Sequence, residues 1–500
     1  MDRRKFLAGA AGALASGGVP VRAATDSPFA YGIASGDSTA TSVVIWTAID
    51  GGGGGHLEWR VRGADDGSLI RSGVASVSAE GGRTAHVLVD GLEADRAYHY
   101  EFVHRGVVST VGRTRTLPAQ GRRPVRFAVF SCSRYSSGWF HAYRHAAEDR
   151  SIDFALHLGD YIYEGGNAPD GQARIHHPDH ELFTLGDYRA RHAQHKADPD
   201  LQALHAAMPM LAIWDDHEFA DDASRDGSHT SRPAFWTQRA IAARQAYFEW
   251  MPMLPNATGG LWRSKRIGDL ADLYLLDTRI EGRADQLSPD DAAFRSAERD
   301  MLGPAQERWL SRSLASPAKP WTVMLSSVIF SQIVWPDSVR AHFGGSGPAW
   351  GQQLLEKRIA DSTLGAGNPD AWDGYPAAQK RLMGMLSDRS GRALILSGDT
   401  HSSWSFHLPG KESAPIGWEI GVPSVTTEAS LDALSGSPED IEALFRNRNP
   451  LMDYLHASAR GYVVVEIDEA AAQIEWRYVS SVTAQEPTWR VGKRLRFPAR

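Results

Sequence analysis

Four short apolar runs along the chain each end in polar residues with chemically active side chains. The runs cover residues 125–130, 154–158, 210–214 and 393–397, and each is followed by Ser, Gly or Asp. Continuous apolar runs of this length are typical of strands that are buried on both faces of a parallel or mixed sheet. Ligands in such folds bind beyond the carboxyl ends of the strands. The pattern therefore predicts an α/β fold with one site at its strand ends.

Residues 27–118 show a different pattern, in which apolar and polar positions alternate. Alternating runs at 42–47, 57–62, 86–89 and 98–103 are separated by turns that are rich in glycine. This spacing predicts a small antiparallel β-sandwich, similar to a fibronectin type III module. The segment holds no cluster of ligand-type residues, so we expect it to pack against the site domain or to shape the edge of the site.

From residue 124 to residue 490 the strands alternate with segments of helical spacing. Helices are predicted at 138–149, 187–211, 239–250, 304–314 and 377–386, and further strands at 270–276, 321–329, 461–467 and 473–478. This order predicts sheets covered by helices, with antiparallel strands late in the chain. The segments 165–207 and 331–376 are expected to form the rim of the pocket, and the second of them to be irregular.

The first 24 residues have the pattern of an export signal. Twin arginines at Arg3 and Arg4 precede a mild apolar run, and small residues around Ala23 suit cleavage by a signal peptidase. The run is too short to span a bilayer permanently. We therefore expect the twin-arginine export machinery as a partner, a periplasmic or secreted location, and a mature protein without a stable membrane span.

Length, charge and cysteine content narrow the classes of function. The 500 residues predict two domains. A net charge of -7 and a sequence pI near 6.3 give no reason to expect a nucleic acid or an anionic membrane as partner. The only cysteine is Cys132, which excludes an intramolecular disulfide. We expect a monomer.

The polar residues at the strand ends are all types that bind metal ions. They are Asp160, Asp216, Asp399, His217, His401, Tyr163 and Cys132. A phenolate and a thiolate on one cation require a strong Lewis acid, because both groups must lose a proton to bind. Two cations ~3.5–4 Å apart stabilise the attacking and leaving oxygens of an in-line displacement and lower the pKa of bound water. The donor set therefore favours a phosphoester as substrate.

Four motifs at these strand ends are specific when they occur together. They are Ser-Cys at 131–132, Gly-Asp-Tyr-Ile-Tyr-Glu at 159–164, Trp-Asp-Asp-His-Glu at 214–218 and Gly-Asp-Thr-His-Ser-Ser-Trp at 398–404. As a set they resemble the calcineurin-like metallophosphoesterases and, more closely, the alkaline phosphatase D (PhoD-like) family. The resemblance covers nearly the whole mature chain. It implies a four-layer α/β/β/α sandwich at 124–490, preceded by the small fibronectin-III-like β-sandwich.

The resemblance also implies a binuclear or larger metal centre containing Fe3+ and Ca2+. The residues implied as ligands of oxidised iron are Cys132, Asp160, Tyr163 and His401, and those implied for the second cation are Asp216 and Asp399. Asp160 would bridge the two cations. The division of Asp399 and His401 between the cations stays open.

Further roles follow from the same resemblance. His217 matches a histidine that contacts phosphate and protonates the leaving oxygen, a task for which imidazole is suited. Arg134 and Arg279 could meet the phosphate as permanent bidentate cations. Asp215 is expected to orient its loop rather than to bind metal.

The predicted function is an exported, metal-dependent alkaline phosphatase that cleaves phosphate monoesters or diesters with hydroxide made available by the metal ions. Two alternatives stay open: a phospholipase-D-like phosphodiesterase, and a protein that binds a phosphate polymer without turnover. A Ser/His/Asp hydrolase is disfavoured, because the sequence has no Gly-x-Ser-x-Gly elbow. Six further histidines are spaced irregularly and are predicted to be solvated: His176, His177, His180, His192, His195 and His205.

Overall fold

Two large β-sheets and a smaller third sheet form the framework of the protein. The structure, a computed structural model, describes residues 27–51, 54–167, 172–229, 233–345, 349–410 and 414–499. The export signal predicted for residues 1–24 lies outside these ranges and stays a prediction. Within them, no helix combines the length and the apolar content that crossing a bilayer requires.

The strands and helices are numbered here in chain order. The strands are β1 (Ile33–Gly36), β2 (Val43–Ala48), β3 (Gly55–Gly63), β4 (Leu69–Val77), β5 (Thr84–Val89), β6 (Ala97–His104), β7 (Val107–Val108), β8 (Gly112–Arg115), β9 (Val125–Phe130), β10 (Phe154–His157), β11 (Met210–Ala212), β12 (Arg263–Ile267), β13 (Ala271–Leu275), β14 (Trp321–Ser326), β15 (Arg392–Ser397), β16 (Ser403–Leu408), β17 (Gly417–Gly421), β18 (Met452–His456), β19 (Arg460–Ile467), β20 (Ala471–Val479) and β21 (Trp489–Pro498). The α-helices are α1 (His141–Glu148), α2 (Leu185–Lys196), α3 (Pro199–Ala207), α4 (Pro233–Trp250), α5 (Gly303–Leu314), α6 (Ala349–Thr363), α7 (Pro376–Ser387) and α8 (Pro438–Arg448).

The four apolar runs of the sequence are the parallel strands β9, β10, β11 and β15. The first three are neighbours in a nine-stranded sheet of order β21-β20-β19-β9-β10-β11-β1-β2-β5. Strand β15 lies in a seven-stranded sheet of order β12-β13-β14-β15-β17-β16-β18, parallel to β14 and β17. The late strands β19 to β21 pair antiparallel, as the sequence predicts.

The two large sheets pack face to face, with helices on the outer faces. Val323 of β14 and Leu394 of β15 belong to the same core as Phe127 and Val129 of β9. The next residue along β14, Met324, points the other way and packs in a second core with residues of α5 and α7. This alternation follows from the two-residue period of a strand. The predicted α/β/β/α sandwich is therefore confirmed.

Residues 27–118 form two layers around a core of their own. Strands β1, β2 and β5 make one layer, and β3, β4, β6, β7 and β8 make the other. The first layer also extends the nine-stranded sheet, because β1 pairs in parallel with β11 where Gly36 meets Met210. A Cβ at Gly36 would lie 2.4 Å from the carbonyl oxygen of Met210, so the close approach of the two backbones requires glycine there.

Two helix predictions differ from the structure. The helix predicted at 187–211 is two helices, α2 and α3, because Asp198 caps the second one with its side chain and Pro199 starts it. The segment 331–376, predicted to be irregular, contains the four-turn helix α6. Its apolar pattern is weak because its inward face includes the charged residues Arg358 and Asp361.

The prediction that six histidines are solvated is wrong for four of them. His177 and His180 are exposed, whereas the other four are buried. His195, for example, lies between aromatic rings, with its centroid 5.4 Å from Phe140 and 5.5 Å from Tyr135. Irregular spacing does not reveal this arrangement, because the rings pack against residues that are distant in the sequence.

Buried neutral histidines should make the fold sensitive to acid. Burial lowers the pKa of His157 and of His192 to about 3. The unfolded chain takes up protons at these positions below about pH 6.5, whereas the folded protein does not until about pH 3. The contribution of each buried histidine to the free energy of unfolding is therefore fully present above about pH 6.5. It decreases as the pH falls, and about 2 kcal/mol per histidine is lost at pH 5.

Urea unfolding at pH 7 and pH 5 measures this dependence. His192→Gln should make the change in unfolding free energy between the two pH values smaller, while the exposed control His180→Gln should leave it as in the unaltered protein. Equal unfolding free energies at both pH values would show that the buried rings are not neutral.

Candidate metal centre

The loops that follow β9, β10, β11 and β15 meet at one edge of the two sheets. Cys132 follows β9 and Asp160 follows β10, and the two loops are joined because the Cys132 amide donates to the carbonyl oxygen of Gly159 at 3.2 Å. His401 follows β15. Single donor atoms of Cys132, Asp160 and His401 all lie within 4.8 Å of one another. The structure thus brings together residues that are separated by up to 269 positions in the chain.

The backbone at this edge is strained. Cys132, Asp160, Asp399 and His401 have φ angles of 58°, 55°, 64° and 59°, in the left-handed region that residues with a Cβ seldom adopt. Each such residue costs of the order of 1–2 kcal/mol. Strain at four predicted ligands indicates that the fold holds these loops in place for the positions of their side chains.

Tyr163 and His401 complete the first donor group. The Tyr163 hydroxyl donates to Asp160 Oδ2 at 2.8 Å and lies 3.4 Å from His401 Nε2. His401 Nδ1 lies 2.6 Å from the carbonyl oxygen of Glu428, so Nδ1 carries the proton and Nε2 is left as a donor of an electron pair. Asp160 Oδ1 is buried without a hydrogen-bond partner among the described residues.

Two more donor groups adjoin the first one. Asp160, Asp216 and His217 form the second group, and Asp216, Asp221 and Asp222 form the third. Neighbouring groups share one carboxylate, first Asp160 and then Asp216. This geometry suits a row of cations bridged by carboxylates. Asp399 is in none of these three groups, and its assignment to the second cation stays a prediction.

The predicted catalytic histidine has a carboxylate partner that the sequence analysis did not assign. His217 Nδ1 lies 2.7 Å from Glu164 Oε2, and Glu164 Oε1 accepts the backbone amide of Asp221. Burial opposes charge on both groups, but their mutual attraction prevails. It lowers the pKa of Glu164 to about 2 and, together with Asp216 and Asp160, raises the pKa of His217 well above its usual value. The pair holds the imidazole in its charged form, and Nε2, which Glu164 does not engage, lies 3.9 Å from Asp221 Oδ1.

Arg279 lies behind the site rather than on its surface. Its guanidinium is fully buried and reaches Asp215 Oδ1 at 2.5 Å, Asp370 Oδ1 at 2.8 Å and Asp399 Oδ1 at 3.4 Å. It is not among the residues that line the cavity described below. This placement gives Arg279 a positioning role, in place of the direct contact with phosphate predicted from the sequence. The ion pair between Arg279 and Asp215 is consistent with the predicted role of Asp215 in orienting its loop, which stays a prediction.

Arg134 does line the cavity. Its guanidinium lies over the ring of Tyr163, 5.4 Å from the ring centroid, and its backbone is held by Thr426 and Thr427. No ion pair among the described residues engages its side chain, so its charge is available to a phosphate that approaches the first donor group.

The donor groups open into a cavity of about 650 Å³. Eight carboxylates line it, together with the basic side chains of Arg134, Lys357 and Arg358 and the imidazoles of His217 and His401. The carboxylates are Asp160, Glu164, Asp216, Asp221, Asp222, Asp361, Asp370 and Asp399. The negative charge of Asp370, together with burial, raises the pKa of Asp222 to about 9. Without cations, carboxylates packed this closely cannot all be charged, so the donor set fits metal ions that would balance them.

Some residues of the site could not be found from the sequence. Asp221 and Asp222 follow the Asp-His-Glu motif by a few positions, and their residue types alone predicted no ligand role for them. Asp370 and Asn368 lie in a segment without any motif, and they reach the cavity only through the tertiary fold.

The two-sheet fold and the acidic cavity at its strand ends define a phosphoesterase of the α/β/β/α class. Residues 127–476 match a family model described as PhoD-like phosphatase, and residues 13–118 match the model of that family's N-terminal domain. The chain belongs to the PhoD-like phosphatase family and is a phosphoric ester hydrolase.

Two individual proteins show the same relationship. Alkaline phosphatase D of Bacillus subtilis (strain 168) is 33% identical in an alignment that covers 99% of this chain and 87% of the relative. A solved structure described as "Structure of PhoD" superposes with a TM-score of 0.81 at 30% identity, covering 94% of this chain and 90% of that one.

Proposed function

We propose that the protein is an exported alkaline phosphatase that depends on Fe3+ and Ca2+ and hydrolyses phosphate monoesters or diesters. The observation that carries this proposal is the row of donor groups linked through Asp160 and Asp216 at the base of the cavity. Bound cations would supply Lewis-acid stabilisation of the anionic transition state and a nucleophile derived from water. The side chains of this protein supply orientation, charge and a proton.

The first donor group supports iron in its oxidised form. Burial and the neighbouring Asp160 raise the pKa of the Cys132 thiol, and burial likewise raises the pKa of the Tyr163 phenol. Only a cation with strong affinity for anionic donors would displace both protons. The second and third groups contain carboxylates, whose oxygens suit Ca2+, and the imidazole of His217, which Glu164 holds as a proton donor rather than as a metal ligand.

The phosphoester would lie between Arg134 and the donor groups. Arg134 would bind non-bridging oxygens in a bidentate manner. His217, held by Glu164, would donate a proton from Nε2 to the leaving oxygen. The apolar side chains of Trp350 and Leu354 line another part of the cavity, which leaves room for an ester substituent and keeps diesters, including phospholipid-like ones, among the substrates.

Metal analysis together with paired substrates tests this proposal. Protein recovered from the periplasm or the medium should contain iron and calcium, and should hydrolyse 4-nitrophenyl phosphate or bis(4-nitrophenyl) phosphate faster at pH 9 than at pH 6. Chelation should abolish turnover of both, because the Lewis-acid stabilisation and the water-derived nucleophile are then lost. Restoring the ions should restore activity. Full activity in demetallated protein would contradict metal dependence.

The same assay distinguishes the binding-protein alternative. A metal-loaded protein that binds inorganic phosphate but hydrolyses neither substrate between pH 6 and pH 10 would be a receptor on this fold. Retention of the protein in the cytoplasm would contradict the proposal of export.

A further inference from the structure

Helix α6 brings a buried cation to the wall of the cavity. Arg358 lies on its inward face, is only 8% exposed and lines the cavity. Among the described residues its guanidinium has no ion pair and no hydrogen-bond partner, and its Nε is fully buried. A guanidinium carries five donors and keeps its charge in proteins. Buried charges are ordinarily paired, so Arg358 lacks a partner that its position requires.

A second unpaired donor lies in the same wall. Asn368 is 4% exposed and lines the cavity, and none of the described residues hydrogen-bonds its buried amide Nδ2. Leaving a buried donor unsatisfied is unfavourable. Two such donors facing one cavity point to an acceptor that arrives with a ligand.

The neighbouring basic residue does not share this property. Lys357 Nζ is paired with Asp361 Oδ2 at 2.7 Å, so its charge is already balanced. The carboxylates whose charges act on Arg358 are Asp399, Asp370, Asp222 and Asp361, whereas Arg134 lies over the ring of Tyr163. Arg358 and Arg134 therefore line the same cavity with different neighbours.

Packing alone does not account for Arg358. Its guanidinium carbon lies 5.0 Å from the centroid of the Trp335 ring, which is a cation–π contact. Such a contact stabilises one face of the guanidinium but satisfies none of the N–H groups in its plane. Those groups remain available for a planar or tetrahedral oxyanion.

We propose that Arg358 and Asn368 form a second oxyanion-binding site of the cavity, on the side of Asp399 and Asp370. The inference rests on the proposed function, in which a phosphoester enters this cavity. The oxyanion has two sources: the non-bridging oxygens of the scissile phosphate, or a second anionic group elsewhere on the substrate. Arg358 fixes the position of that group through its planar pair of donors, and Asn368 adds one more donor.

Kinetics of the metal-loaded Arg358→Gln protein test the site. Phenyl phosphate and 4-carboxyphenyl phosphate differ only in the second anion. We expect KM for the substrate that uses the site to rise about 10- to 100-fold, with a smaller change in kcat, because a charged hydrogen-bond pair is lost. Arg358→Lys keeps the charge but loses the planar pair of donors. Its KM should lie between those of the unaltered protein and the Arg358→Gln protein. Asn368→Ala should raise the same KM by a smaller factor.

The pattern of effects identifies the source of the oxyanion. A higher KM for both substrates, with a weaker inhibition by inorganic phosphate, would show that the site holds the scissile phosphate. A higher KM for 4-carboxyphenyl phosphate alone would show that it holds a second anion. The exposed helix residue Arg308 provides the charge-matched control Arg308→Gln, which should behave as the unaltered protein does.

Two results would overturn the inference. One is an unchanged KM for both substrates and unchanged phosphate inhibition in a folded Arg358→Gln or Asn368→Ala protein. The other is a lower melting temperature with unaltered kinetics, which would make Arg358 a packing residue on Trp335. Failure of the unaltered protein to hydrolyse either substrate would instead contradict the proposed function. In that case, calorimetric binding of inorganic phosphate to the unaltered and Arg358→Gln proteins would still show whether Arg358 binds an oxyanion.

Discussion

Asp160→Asn should remove the metal and the phosphoesterase activity together. Asp160 is the one carboxylate that the first and second donor groups share. In the part of the chain that the structure describes, nothing hydrogen-bonds its buried Oδ1, while its Oδ2 accepts from Tyr163. An amide offers one neutral oxygen in place of two charged ones, so it cannot bridge two cations. Loss of that Lewis-acid stabilisation, about 4 kcal/mol, predicts a fall in kcat/KM of about 10³-fold.

Elemental analysis and kinetics on the same preparation measure both effects. Asp361→Asn is a matched control, because Asp361 lines the same cavity but lies outside the three donor groups and is paired with Lys357. It should keep its metal content. Full metal content in the Asp160→Asn protein would contradict the bridging role, whatever its activity.

Stability of the demetallated proteins separates this outcome from unfolding. Burial, Asp215 and Asp216 raise the pKa of Asp160 well above its usual value, although His217 opposes the shift. A charged Asp160 is therefore unfavourable when no cation is bound. We expect the demetallated Asp160→Asn protein to melt at a temperature no lower than the demetallated unaltered protein. A large decrease would mean that Asp160 stabilises the fold itself.

The strands and their terminal donors could be predicted from the sequence because both signals are local. Continuous apolar runs identify β9, β10, β11 and β15, and the residues after each run are necessarily at the strand ends. That rule placed Cys132 and Asp160 at one edge without any knowledge of the loops. Parallel strands also make the rule reliable, because all their carboxyl ends lie on the same side.

The rest of the site depends on contacts that no local pattern reveals. Arg358 lies on α6, whose inward face is partly polar, so this helix lacks the apolar stripe by which helices are identified. Asn368 and Asp370 follow α6 in the chain and reach the cavity through the tertiary fold. The same limit applies to Arg279, whose position behind the carboxylates is set by Asp215, 64 residues away in the chain. The left-handed backbone conformation of Cys132 and His401 likewise could not be predicted from their residue types.

His217→Ala should leave the metal in place but slow the chemical step. The imidazole Nδ1 is held by Glu164, and His217 lines the cavity. A positioned general acid contributes about 10²–10⁴-fold. The need for a proton is greatest when the leaving oxygen is strongly basic, so alkyl phosphates should lose the most and 4-nitrophenyl phosphate the least. The measurement is kcat against the pKa of the leaving alcohol, for the unaltered and substituted proteins.

Glu164→Gln tests whether the acid is adjusted for alkaline conditions. The Glu164 carboxylate is the largest of the influences that raise the pKa of His217, against the opposing effect of burial. Replacing it by an amide keeps a hydrogen-bond partner for Nδ1 but removes the charge. His217 should then lose its proton at lower pH, and the decline of kcat on the alkaline side should move to lower pH, most clearly for alkyl phosphates. A leaving-group dependence that is the same in His217→Ala as in the unaltered protein would show that the proton comes from elsewhere. In that case the same pH shift in Glu164→Gln would have to be assigned to Asp160 and Asp216, the predicted metal ligands near the ring.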